Sequence, residues 1–148
     1  MKKLLPPHLF VLFALTMAGL CWALGSPHTL AKPYTLAAVV LLIGGLGLAF
    51  WAKRLFKQHQ TTAFTFDAPG TLVTEGPFRL SRNPMYLGLA LALFGVAILL
   101  GLAPSSMALA LLFVIILDRW YISYEERAMH ARFGESYTLY CAQVRRWL

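Results

Sequence analysis

Four apolar runs divide the chain: Pro7 to Leu24, Tyr34 to Ala52, Met85 to Gly101 and Ser105 to Tyr121. Each lies near the roughly 17 to 25 residues that cross a bilayer as α-helix. The first three contain no Asp, Glu, Lys or Arg, and the fourth carries only Asp118 and Arg119, close to its end. The pattern predicts an all-α integral membrane protein, a single membrane domain over residues 1–148 with four transmembrane helices at about 7–24, 34–52, 85–101 and 105–121. Gly101-Leu102-Ala103-Pro104 is too short and too apolar to form an external segment, so helices three and four are expected as a tight hairpin.

Between the second and third runs lies a long polar loop, residues 53–84. Thr71-Leu72-Val73-Thr74 reads as strand-like, followed by a turn signal at Glu75-Gly76-Pro77. The apolar residues Phe64, Phe66, Leu72, Val73 and Phe78 argue for an ordered loop. Beyond Tyr121 the fourth helix is expected to continue as Ile122 to Phe133 and to stop at Gly134. A short amphipathic segment, Glu135 to Leu148, completes a tail over residues 122–148.

Composition agrees with a membrane solvent. Of 148 residues, 59% are hydrophobic and only 13% charged, and the mean hydropathy is +0.65, well above a soluble domain of this size. The net charge of +7 is distributed unevenly. Of 13 Lys and Arg, two precede the first run, five lie from Lys53 to Arg82 and five from Arg119 onward, with only Lys32 in the first connection. The positive-inside rule then puts both termini and the second loop in the cytoplasm, in a plasma or inner membrane. Cations at membrane borders suit anionic lipid, and a nucleic-acid reading is poor.

The first run has two readings. Met1-Lys2-Lys3 before an apolar core, with Ala23-Leu24-Gly25 as a cleavage site, has the form of a secretory signal; the alternative is a retained first helix. Cys21 and Cys141 fall at opposite faces, so a disulfide between them is not expected.

Ionisable chemistry gathers on one face. Arg82-Asn83-Pro84-Met85-Tyr86-Leu87-Gly88 reads as a helix start with Asn83 as N-cap, Pro84 in the first turn and Arg82 reaching for phosphates. Glu125 and Glu126 follow the fourth run, and Glu125 shares a helical stripe with Tyr121 and Asp118 at spacings of four and seven. The acids could also simply balance Arg119, Arg127 and Arg132. Arg145-Arg146-Trp147 reads as an interfacial anchor. Gly44-Gly45-Leu46-Gly47 has no preceding strand, so close helix packing explains it better than a nucleotide loop, and Gly88 and Gly95 have the same use. His8, His28, His59 and His130 show no metal-ligand spacing, and no metal is expected.

In order, Gly70-Thr71-Leu72-Val73-Thr74-Glu75-Gly76-Pro77-Phe78, Arg82 to Gly88, Glu125-Glu126-Arg127 and Phe133-Gly134-Glu135-Ser136-Tyr137 resemble the isoprenylcysteine carboxyl methyltransferase and phospholipid methyltransferase superfamily. The resemblance covers about residues 60–148. It implies S-adenosyl-L-methionine held at the cytoplasmic face without a Rossmann domain. By position, Gly70, Thr71, Leu72, Val73, Phe78, Arg82, Asn83, Pro84, Met85, Tyr86 and Glu125 would bind this cofactor. Glu125 suits the cofactor's ammonium, Arg82 and the start of helix three its carboxylate, and Tyr86 its sulfonium. Tyr86, Glu126, Arg119 and Tyr121 are candidates for positioning the acceptor. Two departures stand out: Asn83 occupies the place of a His in better-known members, and Tyr121 occupies that of a substrate-binding Arg.

The reading is a membrane methyltransferase acting on a small lipophilic or membrane-resident acceptor through a carboxyl, amine or thiol. Its partners are the bilayer and that acceptor. The other classes are a small four-helix transporter, which is poorly supported without an acid in helices one to three, and a non-catalytic membrane module on the same scaffold.

Overall fold

The computed structural model describes residues 5–25, 32–59 and 70–148; the expectations for Phe64 and Phe66, for a processed N-terminus and for most of the second loop's first half lie outside them. Among the described residues every regular element is a helix, with no strand. The helices are α1 (Pro6–Ala23), α2 (Lys32–Gln58), α3 (Pro84–Leu99), α4 (Pro104–Ile116), α5 (Ser123–Phe133) and α6 (Glu135–Gln143). A 3-10 turn, Gly76–Arg79, precedes α3, and a wide π-turn, Leu117–Ile122, joins α4 to α5 without a break.

Three stretches are long and apolar enough to cross a membrane: Pro6–Ala23, Tyr34–Gln58 and Pro104–Phe133. The fourth apolar helix, Pro84–Leu99, is shorter, at 16 residues. Pro opens α1, α3 and α4 within their first two positions, where the missing N–H costs nothing and the fixed φ suits a helix. The large apolar side chains left exposed are what a hydrocarbon solvent requires: Val11, Leu12 and Leu15 on α1, Val40, Ile43 and Phe50 on α2, and Leu111, Leu112 and Ile115 on α4.

α3 sits at the centre, with α2 along one side and α1 and α4 packed on each other and on the remainder. Where hydrocarbon surrounds the bundle, helix association rests on close van der Waals packing, so small residues decide the α2–α3 seam. A Cβ placed on Gly45 would lie 2.6 Å from the Ala92 amide nitrogen, one on Gly88 2.7 Å from that of Ala49, and one on Gly95 2.7 Å from the Ala38 carbonyl oxygen. Gly44 and Gly47, expected to serve the same purpose, face open space; only Gly45 of that run is in the seam. On the other side Phe10 and Phe13 of α1 meet Phe113 of α4 at ring separations of 6.4 and 5.4 Å.

Three local features are to be set against the sequence expectation. α2 runs to Gln58 rather than ending near Ala52, because Lys53, Arg54 and Lys57 are good helix formers that extend it beyond the apolar stretch. Residues 71–74 are not a strand: they form a bend and extended backbone without a ladder partner, and Val73 packs with Phe78 against Ala52 of α2. The helix after α4 does continue to Phe133 and stop at Gly134, whose φ of +51° favours glycine, but it passes through the π-turn on the way.

Candidate functional site

The polar residues singled out in the sequence converge where the start of α3, the α4–α5 junction and the chain's tail meet. Tyr86, one turn into α3, is buried, and its hydroxyl donates to Glu125 Oε1 of α5 at 2.5 Å. The Tyr121 ring lies 6.4 Å from that of Tyr86. An acid, two phenol rings and the N-terminal turn of a helix thus share one corner. A carboxylate beside aromatic faces attracts cations, and a helix N-terminus attracts anions.

The loop before α3 forms the adjoining wall. Gly76, at φ +57°, turns the chain so closely against α2 that a Cβ there would meet Leu55 Cδ1 at 2.9 Å. Phe78 then inserts beside Phe56, with ring centroids 4.9 Å apart. Its backbone carbonyl accepts a 2.6 Å hydrogen bond from Tyr140 of α6, and His59 at the end of α2 meets Glu75 at 2.6 Å. Met85 packs against both this small cluster and the main core, so loop and helix are mechanically joined. Gly70 and Thr71 are exposed, Leu72 is half-buried, and Val73 turns its side chain inward.

The tail completes the site in a way the sequence did not announce. Residues 144–147 run back across the start of α3: the Arg82 amide donates to the Arg145 carbonyl at 2.9 Å, and Asn83 Nδ2 to the Arg146 carbonyl at 3.0 Å. Ser81 Oγ donates to the same carbonyl at 3.3 Å and accepts the Asn83 amide at 3.1 Å. Asn83 therefore holds the N-cap position of α3 without capping it by its side chain, contrary to expectation; the side chain is turned so that its Nδ2 donates to the tail carbonyl.

Arg82 does not reach toward phosphates. Its Nη1 donates to the carbonyls of Cys141 and Val144 at 3.2 and 3.1 Å, and its Nη2 to Glu126 at 2.9 Å. Only Nε, buried, finds no partner among the described residues. Glu126 also receives Arg146 through Nε at 3.2 Å and through Nη2. Arg146 Nη1 extends to Asp118 at 3.3 Å, and Trp147 Nε1 donates to the same carboxylate at 2.9 Å. Of Arg145-Arg146-Trp147, read from sequence as an interfacial anchor, Arg146 and Trp147 are thus half-buried and fastened to the protein's own carboxylates. The bonds to Glu126 raise the Arg146 pKa further above its usual value.

The π-turn explains why three residues on one predicted stripe have different partners. Its extra residue per turn breaks the four-and-seven register, and Ser123 Oγ bonds the Asp118 carbonyl at 2.9 Å across the widened turn. Asp118 then faces the tail, while Tyr121 and Glu125 face Tyr86. Of the acceptor-positioning candidates, Tyr86 and Tyr121 come together and Glu126 sits in the adjoining ion cluster. Arg119 is set apart, its side chain 83% exposed and 3.7 Å from Asp118.

Two tyrosines of α6 lie beneath this cluster. Burial, and next the Glu126 charge, push the Tyr137 hydroxyl's pKa well up; burial chiefly pushes Tyr140 to about 12, against a smaller downward pull from Arg82. Among the described residues, no group of three or more His, Cys, Asp or Glu side chains could hold a metal ion.

The tail contacts lay outside sequence reasoning because each links positions far apart in the chain. Their one local signal is a second arginine and a tryptophan directly after a helix that already ends. Comparison with known proteins places the chain: a model of the family described as phospholipid methyltransferase matches residues 33–136. Searches of curated proteins and of solved structures return no match.

Proposed function

The chain belongs to the phospholipid methyltransferase family, and from that premise we propose that it transfers the methyl group of S-adenosyl-L-methionine to a small lipophilic acceptor resident in the membrane. The observation that carries this reading is the Tyr86–Glu125 pair at the mouth of α3, with Tyr121 beside it. In the proposed arrangement four helices span a plasma or inner membrane, both termini lie in the cytoplasm, and the site opens on that face.

The donor set suits the cofactor. When bound, it supplies an electrophilic methyl on a sulfonium; everything else falls to the chain's own groups. Glu125 receives the ammonium, and the rings of Tyr86 and Tyr121 favour positive charge beside them. The carboxylate goes to the N-terminal turn of α3 and to Arg82 Nε, the one nitrogen of that guanidinium with no hydrogen-bond partner among the described residues. Gly70, Thr71, Leu72, Val73, Phe78, Asn83, Pro84 and Met85 supply the remaining wall, Val73 and Asn83 through their backbone, since their side chains face Ala52 and the Arg146 carbonyl.

Methyl transfer is an in-line displacement, so alignment and exclusion of water supply most of what the protein must contribute. Asn83 donates to a carbonyl and has no titratable proton, so it does not serve as a general base. A carboxylate acceptor needs none; an amine must arrive deprotonated or pass its proton to water. The apolar faces of the bundle admit the acceptor laterally from lipid. Incubating membranes that contain the protein with methyl-labelled S-adenosyl-L-methionine, followed by mass analysis of the lipid extract, tests the reading: a labelled lipid absent from Glu125→Ala membranes is expected. An unlabelled extract, with no heat of cofactor binding to the purified protein, overturns it.

A further inference from the structure

Glu125 and Glu126 are neighbours with separate tasks. Glu125 meets Tyr86, whereas Glu126 is gripped by two arginines from opposite directions: Arg82, just before α3, and Arg146, near the end of the chain. Side chains of consecutive residues project about 100° apart around a helix. Rotation of α5 about its axis would therefore strain the Glu126 bonds and carry Glu125 away from Tyr86 together. Arg146 is the adjustable member of this grip. Its guanidinium bridges Glu126 of α5 to Asp118 of the π-turn, its carbonyl is held by Ser81 and Asn83 at the start of α3, and Trp147 next to it takes Asp118 as well. One residue thus touches every element that sets the Tyr86–Glu125 geometry while touching neither Tyr86 nor Glu125 by any of these bonds.

We propose that Arg146 is a positioning residue: by clamping Glu126 and Asp118 it fixes the rotation of α5 about its axis and so aims Glu125 at Tyr86. This rests, for its functional consequence, on the cofactor site proposed above; the geometric claim does not. Alternatives elsewhere are weaker. The buried Cys21–Ser106 contact at 3.2 Å sits between α1 and α4 with no feature pointing to a ligand, and the exposed apolar faces of α1, α2 and α4 are accounted for by lipid.

The clamp needs a fork. Arg146 reaches Glu126 through two nitrogens and Asp118 through the third, a geometry that a lysine ammonium cannot reproduce though it keeps the charge. Arg146→Lys should therefore fold, retain the charge balance with Asp118 and Glu126, and still loosen the aim. Arg146→Met should do so more strongly, and Trp147→Phe, which removes only the outer bond to Asp118, should do so least.

Two readouts separate this inference from the reading it extends. The first needs no cofactor: in detergent-solubilised protein with ring-labelled tyrosine, the Tyr86 signal, assigned by its loss in Tyr86→Phe, is followed by magnetic resonance. It is expected to move in Arg146→Lys toward its position in Glu125→Gln, and further in Arg146→Met. A Tyr86 signal unchanged in both Arg146 variants overturns the proposal, whatever their thermal stability. The second is calorimetric titration with S-adenosyl-L-methionine, where Arg146→Met should weaken affinity by about tenfold, within the usual range of coupling between sites. Undiminished affinity in Arg146→Met overturns the functional consequence. Absence of binding to the unaltered protein overturns the cofactor assignment instead, and the resonance experiment still decides the positioning role.

Discussion

The hydroxyl of Tyr86 donates to the carboxylate of Glu125 at 2.5 Å, joining the first turn of α3 to α5 across 39 positions of sequence. A buried phenol hydroxyl needs a hydrogen-bond partner, and Glu125 supplies it. Under the proposed function the same carboxylate also receives the cofactor's ammonium.

Glu125→Ala should therefore abolish S-adenosyl-L-methionine binding while leaving the helices in place. Calorimetry with the purified protein, beside a circular dichroism melt, checks both halves. Tyr86→Phe should retain the ring and weaken binding more mildly. Unchanged affinity in Glu125→Ala would remove this residue from the site.

Arg82→Lys separates two functions of one side chain. A lysine can still pair with Glu126, but it has no counterpart of the buried, unpartnered Nε. Affinity for the cofactor is expected to fall about tenfold, as for loss of one hydrogen bond to a charged group worth roughly 1.5 kcal/mol, and the melting temperature should fall as well, because the Nη1 bonds to the Cys141 and Val144 carbonyls are not all kept by an ammonium. Equal affinities would show that Nε has no part in holding the carboxylate.

The α2–α3 seam predicts opposite outcomes for two neighbouring kinds of glycine. Gly88→Ala forces a methyl against the Ala49 backbone and should cost about 1–3 kcal/mol. Gly44→Ala meets nothing within 4 Å and should be neutral or stabilising by about 0.5–1 kcal/mol. Thermal melts of the two variants in one detergent make the comparison direct.

Alkaline stability should depend on Tyr140. Its hydroxyl pKa is raised from 10.0 to about 12, so the folded chain holds the proton more tightly than the unfolded one. That stabilisation is complete below pH 10 and is lost as pH rises toward 12. Deprotonation also removes the donor to the Phe78 carbonyl. Melting temperature should fall across this window. The fall should be shallower in Tyr140→Phe, which at neutral pH is already less stable by about 1 kcal/mol.

What could be read from the sequence was whatever depends on local pattern. Apolar runs located α1 to α4, Pro84 and Gly134 marked where helices begin and end, and spaced motifs brought Tyr86 and Glu125 under suspicion together. What could not be read depends on register and on distant partners. The π-turn at Leu117–Ile122 has no signature in residue type, yet it sends Asp118 to the tail and Glu125 to Tyr86. Nothing near Glu126 identifies which of the surrounding arginines it would meet. Gly44, Gly45 and Gly47 are indistinguishable as letters, and only helix phase selects Gly45 for the seam.

Asn83 and Ser81 spend their donors on the carbonyl of Arg146, which fixes an order of events as the chain is made. α3 is synthesised more than 40 residues before its tail partner exists. Until Arg146 leaves the ribosome, water must satisfy those donors at the membrane surface. The bonds that close the corner containing Tyr86 therefore form only after α1 to α5 have been made.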